Sequence, residues 1–506
     1  MNENKQKNLA LGATILTAFS FLSKFLGMWF RLYLTSRIGS EGIGLYQVIM
    51  SVYTLFATFA TAGFSVCVSQ LAAKKMDGSE ATQESRRALF KCISLSLAIS
   101  VFGMITLLSS SSFIATTIMG DARITEPIRI LALSMIFISP CACFKGYFLA
   151  EGKAWKNATS MIFEQLVKIF VSVYLFSFVL TDVTDSGRLC LGIVWGTTIG
   201  EAASFIYCLI IYLFTGKPKS SKISASVKYK DIIKLIVPLA IGSYITTLLH
   251  TGESVLIPRC FELYGGDKAQ SLSDFGVIRG MTIPLLFFPF SFISSFVSLL
   301  IPRVTQYSEK KQSDRLRSTT KKVISLSWVF SIMISAVFFV FANEFSALFY
   351  HSQNCVRSLR ILALINPMMY IETISVGILN GIGEHYFTLR CNIYNSIFRI
   401  AAITILIPRT GVDGYLLLLV ISNVFTFALC YARLKKATGF KTEAFRYIIF
   451  PLVSSAVIGY IVHSFTVSSG DIVTCIIGTG TILLPALSYF QKLDFPFKRK
   501  RIDNCA

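Results

Sequence analysis

Long apolar segments recur along almost the whole chain, and they constrain the fold more than any other feature of the sequence. A helix that crosses a bilayer needs about 20 predominantly apolar residues. Fourteen windows satisfy this, near 9–35, 42–73, 88–116, 124–150, 157–181, 189–215, 231–260, 273–302, 323–346, 357–382, 388–408, 413–432, 445–464 and 471–491. Membrane strands are shorter and alternate strictly between apolar and polar residues, which these segments do not. The pattern predicts an all-α integral membrane protein with about fourteen transmembrane helices.

The composition agrees with this class and leaves no segment for a large soluble domain. Of 506 residues, 54% are hydrophobic and only 15% are charged, whereas soluble domains carry about 25% charged residues. The formal net charge of +21 would suggest nucleic acid as a partner if the protein were soluble. The distribution of that charge along the chain indicates a different origin.

Lysine and arginine concentrate in alternate hydrophilic segments. The segments on the side of the two termini hold 32 of the 48 Lys and Arg residues, and the opposite segments hold eight. Cytoplasmic loops of membrane proteins carry such an excess. The count predicts a multi-pass protein of the cytoplasmic membrane with both termini cytoplasmic, and it accounts for most of the net charge without nucleic acid.

The two halves of the chain repeat each other. ILAL occurs at 130–133 and again at 361–364, and the same offset aligns Gly146 with Gly377 and Lys168 with Arg399. Parallel repeats of this kind are typical of transporters that rock around a central site. The repeat predicts an N-lobe of six helices at 1–215 and a C-lobe of six helices at 231–437, joined by a basic cytoplasmic linker at 216–230. Two further helices and a basic tail follow at 438–506.

Two cations, Lys24 and Arg31, lie inside the first apolar segment. They are seven residues apart, so they share one helical face about 10 Å apart along the axis. A charge at the bilayer centre costs about 2.5–3.5 kcal/mol, which favours a protein interior or a wet cavity over lipid for both side chains. For Arg31, which is nearer the outer end of the segment, an interfacial position is the alternative.

The eighth segment, FGVIRGMTIPLLFFP, combines a cation with residues that weaken a helix. Arg279 is flanked by Gly276, Gly280 and Pro284, and proline removes a backbone donor from the helical ladder. We interpret the two glycines and the proline as a hinge that presents Arg279 to a cavity. A simple kink with an interfacial arginine is the alternative.

Several acidic residues also lie within apolar segments. Glu164 and Lys168 are spaced i, i+4 and can neutralise each other on one helix. The repeat mate of Lys168 is Arg399, which has no such acid. Glu253 either pairs with a cation of helix 1 or 8 or binds a coupling ion, and Glu201 is an acid to which the sequence assigns no role.

Together these residues predict a cationic cavity lined by Lys24, Arg31, Arg279 and Arg399. Desolvated Arg and Lys are stabilised by phosphate through charge-assisted hydrogen bonds, so the cargo is expected to be anionic. The sequence contains no GxxxxGK[ST], HExxH or GxSxG motif, and its His and Cys residues show no metal-ligand spacing. We therefore expect a protein that is not an enzyme and needs no cofactor or metal.

Two stretches carry a resemblance to a known family. LSKFLGMWFRLYLTSRIGSEGIGLYQV and ESVLIPRCFELYGGDKAQSLSDFGVIRGMTIPLLFFPFSFISSFVSLLIPRV resemble the sporulation group in the polysaccharide transporter branch of the multidrug/oligosaccharidyl-lipid/polysaccharide flippase superfamily. The related lipid II flippases carry essential cations in helices 1 and 8. The resemblance places Lys24 at a helix 1 position where Arg is usual, Arg279 at the helix 8 position, and Arg31 at the spacing of the sporulation group. It also implies a groove for the lipid tail between helices 13 and 14.

The resulting hypothesis is a flippase for a lipid-linked oligosaccharide, a peptidoglycan precursor serving the spore cortex being the favoured cargo. The implied partners are a polyprenyl-pyrophosphate-linked glycan, membrane lipids and the cell-wall synthesis machinery. Two alternatives stay open at this point: a drug/cation antiporter of the same superfamily and a non-transporting scaffold for cell-wall synthesis.

Overall fold

The computed structural model of the chain describes residues 3–75, 82–181, 183, 185–214, 228–350 and 354–466. Within these ranges the regular structure is helical and includes no β-strand, which confirms the all-α prediction. The predicted fourteenth helix, at 471–491, and the basic tail lie outside the described residues.

The α-helices are numbered here in chain order. Their bounds are α1 Glu3–Thr61, α2 Phe64–Lys75, α3 Gln83–Phe113, α4 Thr125–Ala150, α5 Ala154–Phe178, α6 Ser186–Leu213, α7 Tyr229–Leu263, α8 Lys268–Phe275, α9 Ile283–Phe287, α10 Phe290–Glu309, α11 Ser313–Val340, α12 Ala342–Tyr350, α13 Asn354–Gly381, α14 His385–Thr438 and α15 Phe450–Thr466. Three π-helical turns lie at Ile114–Ile118, Gly276–Thr282 and Phe445–Ile449, and a short 3₁₀ turn lies at Ala122–Ile124.

Nine helical segments of the described chain are long and apolar enough to cross a membrane. Two of them, Phe21–Lys74 and His385–Thr438, are 54 residues long, which is about 80 Å of helix and far more than one crossing needs. Each contains a glycine in the left-handed region, Gly39 with φ 67° and Gly411 with φ 59°. The segment His385–Thr438 is therefore two helices that meet at Gly411, and Phe21–Lys74 turns at Gly39 and again at Gly63, where φ is 80°. The breaks at Gly39 and Gly411 fall between the predicted helices 1 and 2 and between the predicted helices 11 and 12. The total of fourteen helices stays a prediction.

The outer faces of these helices are apolar. Phe102, Phe170 and Phe178 each expose 73% of their surface. Large exposed apolar surfaces of this kind mark contact with a membrane or a partner. In a multi-pass helical protein these phenylalanines face lipid.

The eighth apolar segment, predicted as one helix at 273–302, consists of four consecutive helical elements. Helix α8 passes into the π-helical turn Gly276–Thr282, which is followed by the short helix α9 and then by α10. The turn closes with a bond from the Ile283 N–H to the Ile278 carbonyl, five residues back. The irregularity falls on the glycines and the proline that the sequence analysis interpreted as a hinge. Their role as a hinge stays a prediction.

The contacts divide the chain into two compact units. Unit 1 consists of Met1–Pro284 and Asn392–Leu418, and unit 2 of Leu285–Cys391 and Leu419–Ala506. The core of unit 1 includes Phe64, Phe144 and Tyr212, and the core of unit 2 includes Ile324, Ile371 and Leu434. The predicted lobes at 1–215 and 231–437, with the linker 216–230, stay predictions.

Within unit 1, α1 contacts the helix that carries Arg279 by direct backbone approach. A Cβ atom added to Gly276 would lie 2.1 Å from the Ser40 carbonyl oxygen, and one added to Gly44 would lie 1.9 Å from the Leu272 carbonyl oxygen. The Ser40 and Ser273 hydroxyls are 2.6 Å apart at the same contact. Small residues permit this approach, which is typical of helix packing in membranes.

An alanine at position 276 tests this contact. Because the added Cβ would meet backbone rather than a flexible side chain, Gly276→Ala should force α1 and the π-helical turn apart and cost at least about 1–3 kcal/mol. The midpoint of thermal unfolding in detergent should fall accordingly. The matched control is Gly252→Ala, whose Cβ would have its nearest neighbour, the Ile400 Cδ1 atom, at 3.9 Å. Equal midpoints for the two variants would contradict the packing argument.

An ion cluster joins α1 to the segment that follows α3. Arg123 binds Asp121 and Glu41, each at 2.9 Å, and Lys268 Nζ lies 3.6 Å from Asp121 Oδ2. Burial opposes ionisation of Asp121, but the hydrogen bonds and charge of Arg123 outweigh it and hold the pKa of Asp121 below its usual value. The ionised carboxylate therefore stabilises unit 1.

This cluster predicts a loss of stability in acid. Since the pKa of Asp121 is lower in the folded than in the unfolded chain, its stabilisation is complete above the unfolded value, about 3.9, and disappears as the pH falls through the folded value. The difference in unfolding midpoint between wild type and Asp121→Asn should therefore shrink between about pH 6 and about pH 3. Asp314→Asn, at an exposed position in the first turn of α11, is the control and should show a small difference at every pH.

Candidate functional site

A cavity of about 190 Å³ lies inside unit 1. Its lining consists of Gly27, Phe30, Arg31, Leu34, Ile43, Tyr46, Gln47, Gln165 and Lys168. Two of these side chains are cationic, three are neutral hydrogen-bonding groups, and none is acidic. Such a lining favours an anionic ligand that also carries hydroxyl or amide groups.

The turn at Gly39 brings the cavity walls together. Helix α1 before the turn contributes Phe30 and Arg31, and after the turn it contributes Tyr46 and Gln47. Gly39 allows the reversal because its φ of 67° is accessible to a residue without a Cβ atom. The third wall is α5, which contributes Gln165 and Lys168 from adjacent turns.

Arg31 is held by a backbone carbonyl of the π-helical turn. Arg31 Nη1 donates to the Gly280 oxygen at 3.2 Å. Pro284, four residues after Gly280, has no N–H and cannot donate to this carbonyl. The predicted irregularity of the eighth segment and the predicted cation of the first are thus parts of one interaction.

Lys168 is the second cation of the cavity. Its Nζ lies 6.0 Å from the centre of the Phe30 ring, a cation–π distance that partly compensates for desolvation. Its predicted partner Glu164 instead binds Lys145 of α4, with 3.1 Å between Glu164 Oε2 and Lys145 Nζ. The i, i+4 pair on α5, which the sequence analysis gave as one possibility, does not form, and Lys168 is available to a ligand.

A second cationic group surrounds Glu253, whose side chain is fully buried. Arg399 Nη2 lies 3.1 Å and Arg279 Nη2 lies 3.4 Å from the same oxygen, Glu253 Oε2. The exposed His250 approaches that oxygen at 3.8 Å. Arg279 also donates from Nε to the Tyr415 hydroxyl at 3.1 Å. The sequence analysis left two roles open for Glu253, an ion pair with a cation of helix 1 or 8 and binding of a coupling ion; in the structure Glu253 lies against Arg279 of the eighth segment.

The Glu253 group holds more positive than negative charge. Two guanidinium groups share one carboxylate, and both Glu253 Oε1 and Arg399 Nε lack a hydrogen-bond partner among the described residues. Buried polar atoms without partners are uncommon in folded proteins. The arrangement leaves donors and charge available for a further anion.

The four predicted cavity cations have different positions in the structure. Arg31 lines the cavity, and Arg279 and Arg399 meet at Glu253. Lys24, which the sequence analysis considered the firmer member of its pair, has an exposed side chain outside the cavity lining. Lys168 was not predicted as a cavity residue, although its alignment with Arg399 in the repeat was a signal for it. Gln47 and Gln165 gave no signal, since uncharged amides in apolar segments follow no spacing rule.

Comparisons with known proteins were made by sequence family, by sequence and by structure. Residues 9–308 match the polysaccharide biosynthesis protein family, and residues 279–405 match the MatE family. Stage V sporulation protein B of Bacillus subtilis (strain 168) is 21% identical over 466 residues, 89% of each chain. Lipid II flippase MurJ of the same organism is 22% identical over 489 residues, 89% of this chain and 87% of that protein.

Solved structures share the fold. A lipid II flippase MurJ in an inward closed conformation superposes with a TM-score of 0.72 and 14% identity, covering 95% of this chain and 99% of that one. A MOP superfamily transporter from Pyrococcus furiosus superposes with a TM-score of 0.63 and 15% identity, covering 85% of this chain and 95% of that one. At these identities the similarity establishes the membrane transporter fold and no more.

Removal of the Glu253 charge tests the ion group that it centres. In Glu253→Gln, two partly buried guanidinium groups lose their common counter-ion; breaking a fully buried pair costs about 3–5 kcal/mol, so a loss of up to that size is expected. The unfolding midpoint in detergent should fall sharply, and the double variant Glu253→Gln/Arg399→Gln should recover part of the loss. Glu262→Gln is the control on the same helix, because Glu262 makes no ion pair among the described residues. A midpoint for Glu253→Gln equal to that control would contradict the assignment.

Proposed function

The chain belongs to the polysaccharide biosynthesis protein family, whose match covers residues 9–308, and from that membership we propose that it flips a lipid-linked oligosaccharide across the cytoplasmic membrane. Its relatives are flippases and transporters rather than enzymes, and it is itself a multi-pass transporter of the MOP superfamily. The class of cargo and the residues that bind it are our proposals.

The observation that carries the proposal is the cavity lined by Arg31 and Lys168 without any acidic residue. A pyrophosphate presents two anionic groups that charge-assisted hydrogen bonds from such cations stabilise. The neutral side chains of Tyr46, Gln47 and Gln165 provide hydrogen bonds suited to sugar hydroxyl and amide groups. Phosphate and glycan are joined in a lipid-linked oligosaccharide, so this one class of cargo uses both kinds of lining.

The peptidoglycan precursor remains the favoured cargo, and two of the curated relatives support it. One is named for lipid II and the other for sporulation. The Glu253 group would add Arg279 and Arg399 to the anion-binding residues, as the sequence analysis proposed, with Lys24 at the exposed side of the first helix. The headgroup would enter on the cytoplasmic side and leave on the outer side while the polyprenyl tail stays in lipid.

A cation antiporter is disfavoured by the surroundings of Glu253. A carboxylate that exchanges protons or cations must be able to lose its partner, whereas Glu253 is flanked by Arg279 and Arg399 within 3.4 Å. Cations in both places repel a cationic drug. A scaffold without transport would have no need for desolvated cations, which are costly in a membrane protein.

Flipping of lipid II in proteoliposomes tests the proposal. Arg31→Gln/Lys168→Gln removes two charge-assisted hydrogen bonds of about 1.5–3 kcal/mol each, so the initial rate at limiting substrate should fall at least about 100-fold. The control is Arg37→Gln, an exposed cation six residues after Arg31 on the same helix. It should keep the wild-type rate.

Two outcomes would overturn the proposal. One is failure of the wild type to flip lipid II or any other polyprenyl-pyrophosphate glycan. The other is an unchanged rate in the double variant, with protein yield and oligomeric profile equal to those of the control. Comparison of glycans of different sugar composition in the same assay identifies the cargo.

A further inference from the structure

Glu201 is a buried acid that the proposed transport site does not use. It lies on α6, a helix of 28 residues, 15 residues after the first, so it is far from both helix ends. Only 9% of the residue is exposed. The sequence analysis assigned it no role, and the contacts around it now suggest one.

Three polar groups form a chain that starts at Glu201. Glu201 Oε2 lies 2.6 Å from the Tyr53 hydroxyl oxygen, which lies 2.7 Å from the Ser134 hydroxyl oxygen. The Ser134 oxygen in turn lies 2.9 Å from the Leu131 carbonyl oxygen. All three distances are hydrogen-bond distances.

The number of hydrogens in this chain depends on the state of Glu201. Each of the three contacts needs one hydrogen, and the two hydroxyl groups supply two. When the carboxylate is ionised, Tyr53 donates to Glu201, and the single Ser134 hydrogen serves either Tyr53 or the Leu131 carbonyl, so one contact joins two oxygens without a hydrogen between them. A protonated carboxyl supplies the third, and donation then runs from Glu201 to Tyr53, from Tyr53 to Ser134 and from Ser134 to the Leu131 carbonyl.

The charged neighbours of Glu201 do not replace that proton. No lysine or arginine of the described chain forms an ion pair with Glu201. Glu164 and Lys168 on α5 act on it electrostatically with opposite sign, and Glu164 is itself paired with Lys145 of α4. An ionised carboxylate at this depth would be buried without a counter-ion in contact.

We propose that Glu201, Tyr53 and Ser134 form a proton-binding site whose occupancy is linked to anion binding at Lys168. The proton comes from the aqueous phase and forms the O–H bond of the Glu201 carboxyl. This inference rests on the proposed function in one respect, because the anion it invokes is the cargo.

The link to Lys168 follows from the packing of α5 against α6. A Cβ atom added to Gly200, the neighbour of Glu201, would lie 3.2 Å from Lys168 Cβ and 3.1 Å from the Glu164 carbonyl oxygen. Lys168 also lines the cavity. Its positive charge favours ionised Glu201, and a bound anion cancels that charge. Anion binding therefore promotes proton uptake, and by reciprocity protonation strengthens anion binding.

Infrared spectroscopy of the purified full-length protein tests the proton site without any cargo. A buried protonated carboxyl gives a C=O stretching band above the carboxylate region. The wild type at about pH 6 should show one such band that Glu201→Gln removes. Tyr53→Phe should keep the band and shift its frequency, because one hydrogen-bond partner is lost. Glu164→Gln is the control and should remove no carboxyl band, since the Glu164 side chain forms an ion pair with Lys145.

The linkage is tested by titration with UDP-N-acetylglucosamine, a glycan pyrophosphate diester whose own charge is constant over the pH range used. Its affinity for the wild type should rise from about pH 8 to about pH 5.5, by up to about tenfold per pH unit for one linked proton. Glu201→Gln should bind with a flat pH profile, and Glu164→Gln should keep a pH-dependent one.

Each outcome has one meaning. If Glu201→Gln removes no carboxyl band, the proton site is wrong, whatever the binding data show. If the band is assigned but the pH slope of Glu201→Gln equals that of the wild type, the linkage is wrong. If the band is assigned and neither this probe nor lipid II binds at any pH, the proposed cargo fails and the linkage fails with it, while the proton site stands.

Discussion

The cost of a charge in hydrocarbon organises this protein. Insertion of a lysine or arginine near the bilayer centre is unfavourable by several kcal/mol unless water, a counter-ion or a ligand compensates for it. Unit 1 compensates in three ways: Lys145 has Glu164, Arg279 and Arg399 share Glu253, and Arg31 binds a backbone carbonyl. Among the described residues, Lys168 has the Phe30 ring at cation–π distance and forms no ion pair. The side chains with the weakest internal compensation, Arg31 and Lys168, are the two that line the cavity, and this is the basis of the proposed anionic cargo.

Backbone chemistry and side-chain chemistry cooperate in this arrangement. Pro284 has no N–H to donate to Gly280, and the Gly280 carbonyl accepts a hydrogen bond from Arg31. Gly276 and Gly44 have no side chains, so the helices come close enough for Arg31 to reach it. A substitution at Gly44, Gly276 or Pro284 would therefore change the packing of the two helices and also the hydrogen bond that holds Arg31.

Much of the fold could be predicted from the sequence, because long apolar segments have few alternatives to helices in a membrane protein. The breaks near Gly39 and Gly411 could also be predicted, because both glycines lie in the gaps between predicted windows, 36–41 and 409–412. At the site, the charged residues within apolar segments could be identified from the sequence, but the residue with which each forms an ion pair could not. The spacing of Glu164 and Lys168 suits an ion pair, yet Lys145 comes from another helix that no local pattern relates to α5. Lys24 and Arg31 share a helical face and stand about 10 Å apart along the axis, yet Arg31 lines the cavity and Lys24 does not.

The π-helical turn at Gly276–Thr282 has a consequence for motion. A π turn contains one residue more than an α turn of the same height. When such a turn moves along a helix, each residue it passes rotates by about 100° and shifts by about 1.5 Å while the helix stays intact. Arg279 lies inside this turn. If the π turn moved along the helix by one turn, the Arg279 guanidinium would point away from Glu253 and toward a different side of the helix. This reorientation needs no unfolding and no movement of the helix ends.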